Sequence, residues 1–397
     1  MSTTRPEQTP GPAAMLADRE VQVVVCTGAG GVGKTTTAAA MALHAAERGR
    51  NVVVLTIDPA RRLAQAMGLT ELDNTPRPVV GVDTTAGGSL EAMMLDMKRT
   101  FDEVVLSTAR DPETAQQILD NPVYQAVSSS FAGTQEYMAM ERLGQLQHQA
   151  ERDGRWDLIV VDTPPSRSAL DFLDAPERLG SFLDGRFIRL LTAPARLGGR
   201  ASVRVLGAGV TVARATLGRV LGQQLLTDVQ TFVAAMDTVF GGFRARADQT
   251  YALLKDRGTR FVVVATPERD AVREASYFVT RLERERMPLA GLIVNRVVQT
   301  AAHLSASRAQ DAADALDEVH AGESTPQGSG WAPRHTAALL RAHADRATVA
   351  ARHRQVMRDI EASHPELHLC RVPLEGGDIA DLDGLRRIAA AWACDPL

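Results

Sequence analysis

Lysine is almost missing from this chain. Of 44 basic residues only Lys34, Lys98 and Lys255 are lysines, and arginine fills the other cationic positions. A lysine kept against that bias marks a place that suits a compact point charge on a flexible stem. Cysteine is scarce too: Cys26, Cys370 and Cys394 lie far apart and form no C-x-x-C pair. That spacing gives neither a disulfide framework nor a zinc site, and points to reduced core thiols in a cytosolic protein. Apolar runs reach only about seven residues, too few to span a bilayer. The N-terminus, polar and Pro-rich from Met1 to Ala14, has no apolar signal core, so residues 1–18 read as a disordered tail. A net charge of −4 argues against general nucleic-acid affinity. With 397 residues, 45% hydrophobic and 23% charged, there is room for one large α/β domain with an insertion, or for two domains.

Residues 28–36 read Gly-Ala-Gly-Gly-Val-Gly-Lys-Thr-Thr. They follow an apolar strand expected over Val21 to Cys26 and open a helix expected over Thr35 to Arg48. This is the context in which Gly-x4-Gly-Lys-Thr binds a nucleoside triphosphate. Gly28, Gly30, Gly31, Val32 and Gly33 would turn backbone N–H groups toward phosphate, with Thr36 completing the loop. The Lys34 ammonium would reach the outer phosphates, and the Thr35 hydroxyl would ligate magnesium.

Strand-like runs recur at Val52 to Asp58, Leu158 to Asp162, Phe261 to Ala265, Leu289 to Asn295 and Leu367 to Leu374, alternating with helical stretches. Such alternation predicts an α/β fold, a mostly parallel sheet flanked by helices, with nucleotide at the carboxyl ends of the strands. Strand signal thins between Ala115 and Gly258, which predicts a helical subdomain inserted at about 100–150 and 170–258 of a domain running from 19 to 397. Gly and Pro between His320 and Pro333 mark a surface loop at 320–333, and Leu382 to Cys394 reads as a docked terminal helix.

Two strands end in acids. Asp58, in Thr56-Ile57-Asp58-Pro59-Ala60, lies where a carboxylate could orient an attacking water, although Asp-Pro also serves to begin turns. Asp162 closes Leu158-Ile159-Val160-Val161-Asp162 and would support the magnesium shell through water, since magnesium gives up its waters reluctantly, although such an Asp also serves to cap the next turn. The Asn/Thr-Lys-x-Asp signature of many GTP-binding proteins is missing, which favours ATP, and Asn295 offers an amide to the adenine edge.

Together these motifs resemble the ArsA-type ATPases of arsenite pumps and tail-anchored-protein targeting, within the wider group that includes MinD and ParA. The resemblance rests on Gly28 to Thr36, on Asp58-Pro59-Ala60-Arg61, and on Asp162-Thr163-Pro164-Pro165-Ser166-Arg167-Ser168 leading to Asp171-Phe172-Leu173. Val294-Asn295 and Pro373-Leu374 before Gly376 extend it from roughly residue 20 to 390. It is nearest to actinobacterial members, which often occur as paralogous pairs. It implies ATP and Mg2+ as cofactors, Lys34 and Asp58 as catalytic residues, Thr35 and Asp162 at the metal, and Asn295 with Pro373 in the adenine pocket. It also implies a homodimer or a heterodimer with a paralogous ATPase, closing over its nucleotides. An apolar client helix or membrane protein would be the partner, at a cytoplasmic or membrane-peripheral location.

The departures are informative. Ala29 stands where the family carries the lysine that reaches the partner subunit's phosphates. That leaves a slow homodimer, a heterodimer with a lysine-bearing paralogue, or another cation such as Arg61 or Arg167 acting instead. No C-x-x-C occurs, so zinc is not expected. The stretch from Gly185 to Val220 holds seven arginines and no acid, with an apolar stripe at helical spacing through Val203, Leu206, Val210, Ala213, Leu217 and Val220. Such a face packs into a core, lies on anionic membrane or cradles a client helix. Two other readings stand beside the client-coupled ATPase: a weakly hydrolytic regulatory subunit, and a partition or positioning ATPase.

Overall fold

The computed structural model describes residues 11–57, 62–69, 72–122, 124–125, 128, 134–163, 245–321 and 333–393. Asp58, Arg61, Arg167 and the arginine-rich stretch 185–220 lie outside them, as does most of the insertion expected at 170–258 and of the loop at 320–333.

The elements run α1 (Pro12–Ala17), β1 (Val23–Gly28), α2 (Lys34–Ala46), β2 (Asn51–Thr56), α3 (Arg62–Ala66), β3 (Arg77–Pro78) and β4 (Ser89–Met94). They continue with α4 (Met97–Thr108), α5 (Pro112–Leu119), α6 (Thr134–Asp153), β5 (Leu158–Asp162), helical residues 245–254 and β6 (Thr259–Ala265). The last are α7 (Arg269–Arg284), β7 (Leu289–Val297), α8 (Ala306–Ala321), α9 (Pro333–Ser363), β8 (Leu369–Pro373) and α10 (Leu382–Ala393).

All six expected strands are present, and two more join them in one sheet of order β3-β4-β2-β5-β1-β6-β7-β8. Every pairing is parallel except that of β3 with β4. Because side chains alternate along a strand, the central strands feed two cores. Val23, Val25, Val53, Leu55, Ile159 and Val161 face α4, α5, α6, α7 and α9. Val24, Val52, Val54, Leu158 and Val160 face α1, α2 and α10. The helices between 97 and 153 thus cover one face of the sheet itself.

The expected tail needs correction. Pro12–Ala17 is a helix, with Pro at its first turn and Met15 and Leu16 each 1% exposed in the core. Two adjacent apolar side chains meeting the α2 layer outweigh the local polar, Pro-rich composition. Residues 1–10 lie outside the described set.

Helix α10 docks on α2 through Leu385, Ile388, Ala389 and Trp392. The Trp392 ring meets His44 edge-on at 6.0 Å. Burial drives the His44 pKa down to about 4, so it packs there as a neutral ring.

Candidate functional site

Sheet register assembles the site. Cys26 on β1, Asp162 on β5 and Thr56 on β2 are cross-strand partners on one rung at the carboxyl edge. The loop from Gly28 to α2 begins two residues past that rung. Gly28 passes so close to β6 that a Cβ would lie 2.1 Å from the Val264 carbonyl oxygen. Gly33, at φ +94°, caps α2 without a side chain, and a Cβ there would lie 2.3 Å from Asn295 Nδ2. Only glycine fits either place. The first N–H groups of α2 consequently have no side-chain cap, which suits an anion at the helix start.

Lys34 is 6% exposed and its ammonium donates to the Ala29 carbonyl at 2.8 Å, so the charge is held inside the curve of the loop. Thr35 Oγ1 and Thr56 Oγ1 both donate to Asp162 Oδ2, at 2.7 and 2.8 Å. Asp162 is fully buried. A hydroxyl and a carboxylate this close form a hard oxygen donor set, which fits magnesium better than a soft metal. Beside them, burial pushes the Cys26 thiol well above its ordinary pKa, and the Asp162 charge acts in the same direction. Cys26 is therefore an inert core thiol.

A cavity of about 1150 Å³ opens over the loop. It is lined by Gly31, Gly33, Lys34, Thr35 and Thr36 of the loop, by Pro373 and residues 374–380, and by Asn295 and Arg296. Asn295 is 8% exposed and engaged at both ends of its amide: Nδ2 donates to the Val32 carbonyl at 2.9 Å, and Oδ1 accepts from the Arg296 N–H at 2.9 Å. In this conformation it buttresses the phosphate-loop backbone besides lining the cavity.

The structure thus brings the loop, Asp162, Asn295 and Pro373 together at one sheet edge. Sequence reasoning missed Thr56, Arg296 and Gln65, which also lines the cavity, and of the stretch 374–380 it singled out only Leu374 and Gly376, through the resemblance. Thr56 had a signal, since it ends an apolar strand beside the Asp162 strand. The others belong to no local motif. Ala29 is 6% exposed and packs with the α2-side core.

The family model described as anion-transporting ATPase matches residues 21–321. The chain is 32% identical to the arsenical pump-driving ATPase of Acidiphilium multivorum over 160 residues, 40% of this chain and 26% of that protein. It is 25% identical to ATPase ARSA1 of Chlamydomonas reinhardtii over 307 residues, 72% of this chain and 36% of that protein. It is likewise 25% identical to ATPase GET3C of Arabidopsis thaliana over 291 residues, 72% of this chain and 69% of that protein. The chain therefore spans between a quarter and roughly a third of the first two relatives.

Proposed function

Because the chain belongs to the anion-transporting ATPase family, we propose that it binds MgATP in the cavity over residues 28–36 and hydrolyses it. The observation that carries this reading is the buried Lys34 beside the Thr35–Asp162 pair, bonded at 2.7 Å, at the start of an uncapped helix. Lys34 and the loop N–H groups bind and orient the triphosphate. Thr35 and Asp162 would hold magnesium, which neutralises charge on the phosphate oxygens when bound. Asp58, two residues beyond β2, orients the attacking water. Pro373 and the stretch 374–380 enclose the base. Two copies facing across their nucleotides would convert closure into movement of an apolar or membrane-associated client, in the cytoplasm.

A second reading is favoured by Ala29: the chain is the weakly hydrolytic half of a heterodimer whose paralogue supplies the missing lysine. No transmembrane role enters either reading; among the described residues no helix is long and apolar enough to cross a membrane.

Steady-state ATP hydrolysis by the wild type, Ala29→Lys and Asp58→Asn tests both. The isolated wild type is expected to turn over slowly, with Ala29→Lys faster by roughly 10³-fold or more, the scale of an inserted transition-state cation. Asp58→Asn should abolish turnover in either background. Ready wild-type turnover unaffected by Ala29→Lys would remove the need for a lysine-bearing partner. Turnover that survives Asp58→Asn would remove Asp58 from the mechanism.

A further inference from the structure

We propose that Arg296 contacts the bound nucleotide, its guanidinium covering one face of the base. The proposal rests on the reading that this cavity holds MgATP. Arg296 has φ +59°, a left-handed backbone that costs a non-glycine residue free energy. Among the described residues only Arg286 shares this feature, at φ +58°. Arg286 follows α7, where a left-handed cap is ordinary. Arg296 instead lies within β7, where such a conformation interrupts the ladder.

Two features hold it there. Asn295 Oδ1 accepts the Arg296 N–H at 2.9 Å, and the pairing of β7 with β8 shifts register between Val294 and Val297. The displaced residue is exposed and lines the cavity. Its guanidinium makes no side-chain hydrogen bond or ion pair among the described residues.

Position assigns the part of the ligand it meets. On one side its neighbour Asn295 bonds Val32 of the phosphate loop; on the other its neighbour Val297 pairs with Pro373. A nucleotide with its triphosphate on the loop would extend its sugar and base past Arg296 toward Pro373. Leu374, 42% exposed at the same cavity, adds apolar surface suited to a base. A guanidinium is planar and weakly hydrated and stacks flat on aromatic faces, whereas an ammonium is a strongly hydrated point charge that cannot stack flat. Strained backbone at a ligand cavity, carrying a cation with no side-chain partner among the described residues, is thereby accounted for as preorganisation for stacking.

The test is calorimetric titration of wild type, Arg296→Gly and Arg296→Lys with MgATP and, separately, with magnesium tripolyphosphate. Glycine takes this φ without strain, so Arg296→Gly folds. Both variants should lose about tenfold in affinity for MgATP while their affinity for tripolyphosphate stays within twofold of wild type. Unchanged MgATP affinity in Arg296→Gly would overturn the contact. Retained MgATP affinity in Arg296→Lys would replace stacking with a point-charge contact, and equal losses for both ligands would place the contact at phosphate; either result also overturns the proposal. A wild type that binds neither ligand would overturn the nucleotide-site reading itself, an outcome distinct from these.

Discussion

Asp162→Ala is expected to lower MgATP turnover by about 10³-fold and to destabilise the sheet edge, whereas Asp162→Asn should lose turnover at nearly wild-type stability. The distinction follows from geometry. Both threonine hydroxyls, Thr35 and Thr56, donate to the same carboxylate oxygen, Oδ2. An asparagine carbonyl in that place accepts both bonds while removing the charge. Alanine removes the acceptor altogether and takes it from the buried Thr56 hydroxyl, while Thr35, half-buried at the cavity, can turn to water. Each unmet buried group costs about 1–3 kcal/mol. The loss of turnover has another source, since the carboxylate charge supports magnesium, and removing a charge-stabilising group from phosphoryl transfer costs several powers of ten. Turnover against magnesium concentration, with thermal unfolding of the three proteins, checks this. Wild-type turnover in Asp162→Asn would place the role of Asp162 in packing alone.

Arg50→Leu should cost about 2–4 kcal/mol of stability, the scale of leaving buried carbonyls without a donor, and leave the affinity of the folded protein for MgATP unchanged. Arg50 is 2% exposed, an expensive place for a guanidinium. All its donors are used. Nε donates to Asp157 Oδ1 at 2.8 Å; Nη1 donates to the carbonyls of Leu16 and Asp18; Nη2 donates to those of Val21 and Asp157. One side chain thus ties α1, the entry to β1 and the entry to β5 at the sheet edge opposite the cavity. Leucine would leave these carbonyls without their donor. Denaturant unfolding measures the first effect and calorimetry under native conditions the second. A cost below about 1 kcal/mol would show that water replaces the arginine.

The sequence made the centre of this fold legible because its strands are buried on both faces. Runs such as Leu158 to Asp162 carry no polar interruption, and the parallel sheet was readable from their alternation with helices. β4, Ser-Leu-Glu-Ala-Met-Met, was not read, since it has no β-branched residue and places Glu91 mid-strand. Glu91 is there because its carboxylate accepts from Trp156 Nε1 and Arg155, a partnership visible only in three dimensions. α1 was hidden by the proline-rich composition around it. At the site, the loop and Asp162 are local motifs with fixed spacing and could be found by inspection. Arg296 and most of the stretch 374–380 could not, because a register shift between two strands and the packing of a terminal helix put them at the cavity.

The measurement that bears most directly on the central claim is calorimetric titration of the wild type and Lys34→Ala with ATP, with and without magnesium. The account predicts saturable, magnesium-strengthened binding by the wild type, weakened about 100-fold in Lys34→Ala, the scale of a lost charge-assisted contact to phosphate. Wild-type protein that shows no binding at millimolar ATP, or Lys34→Ala that binds as well as the wild type, would contradict it.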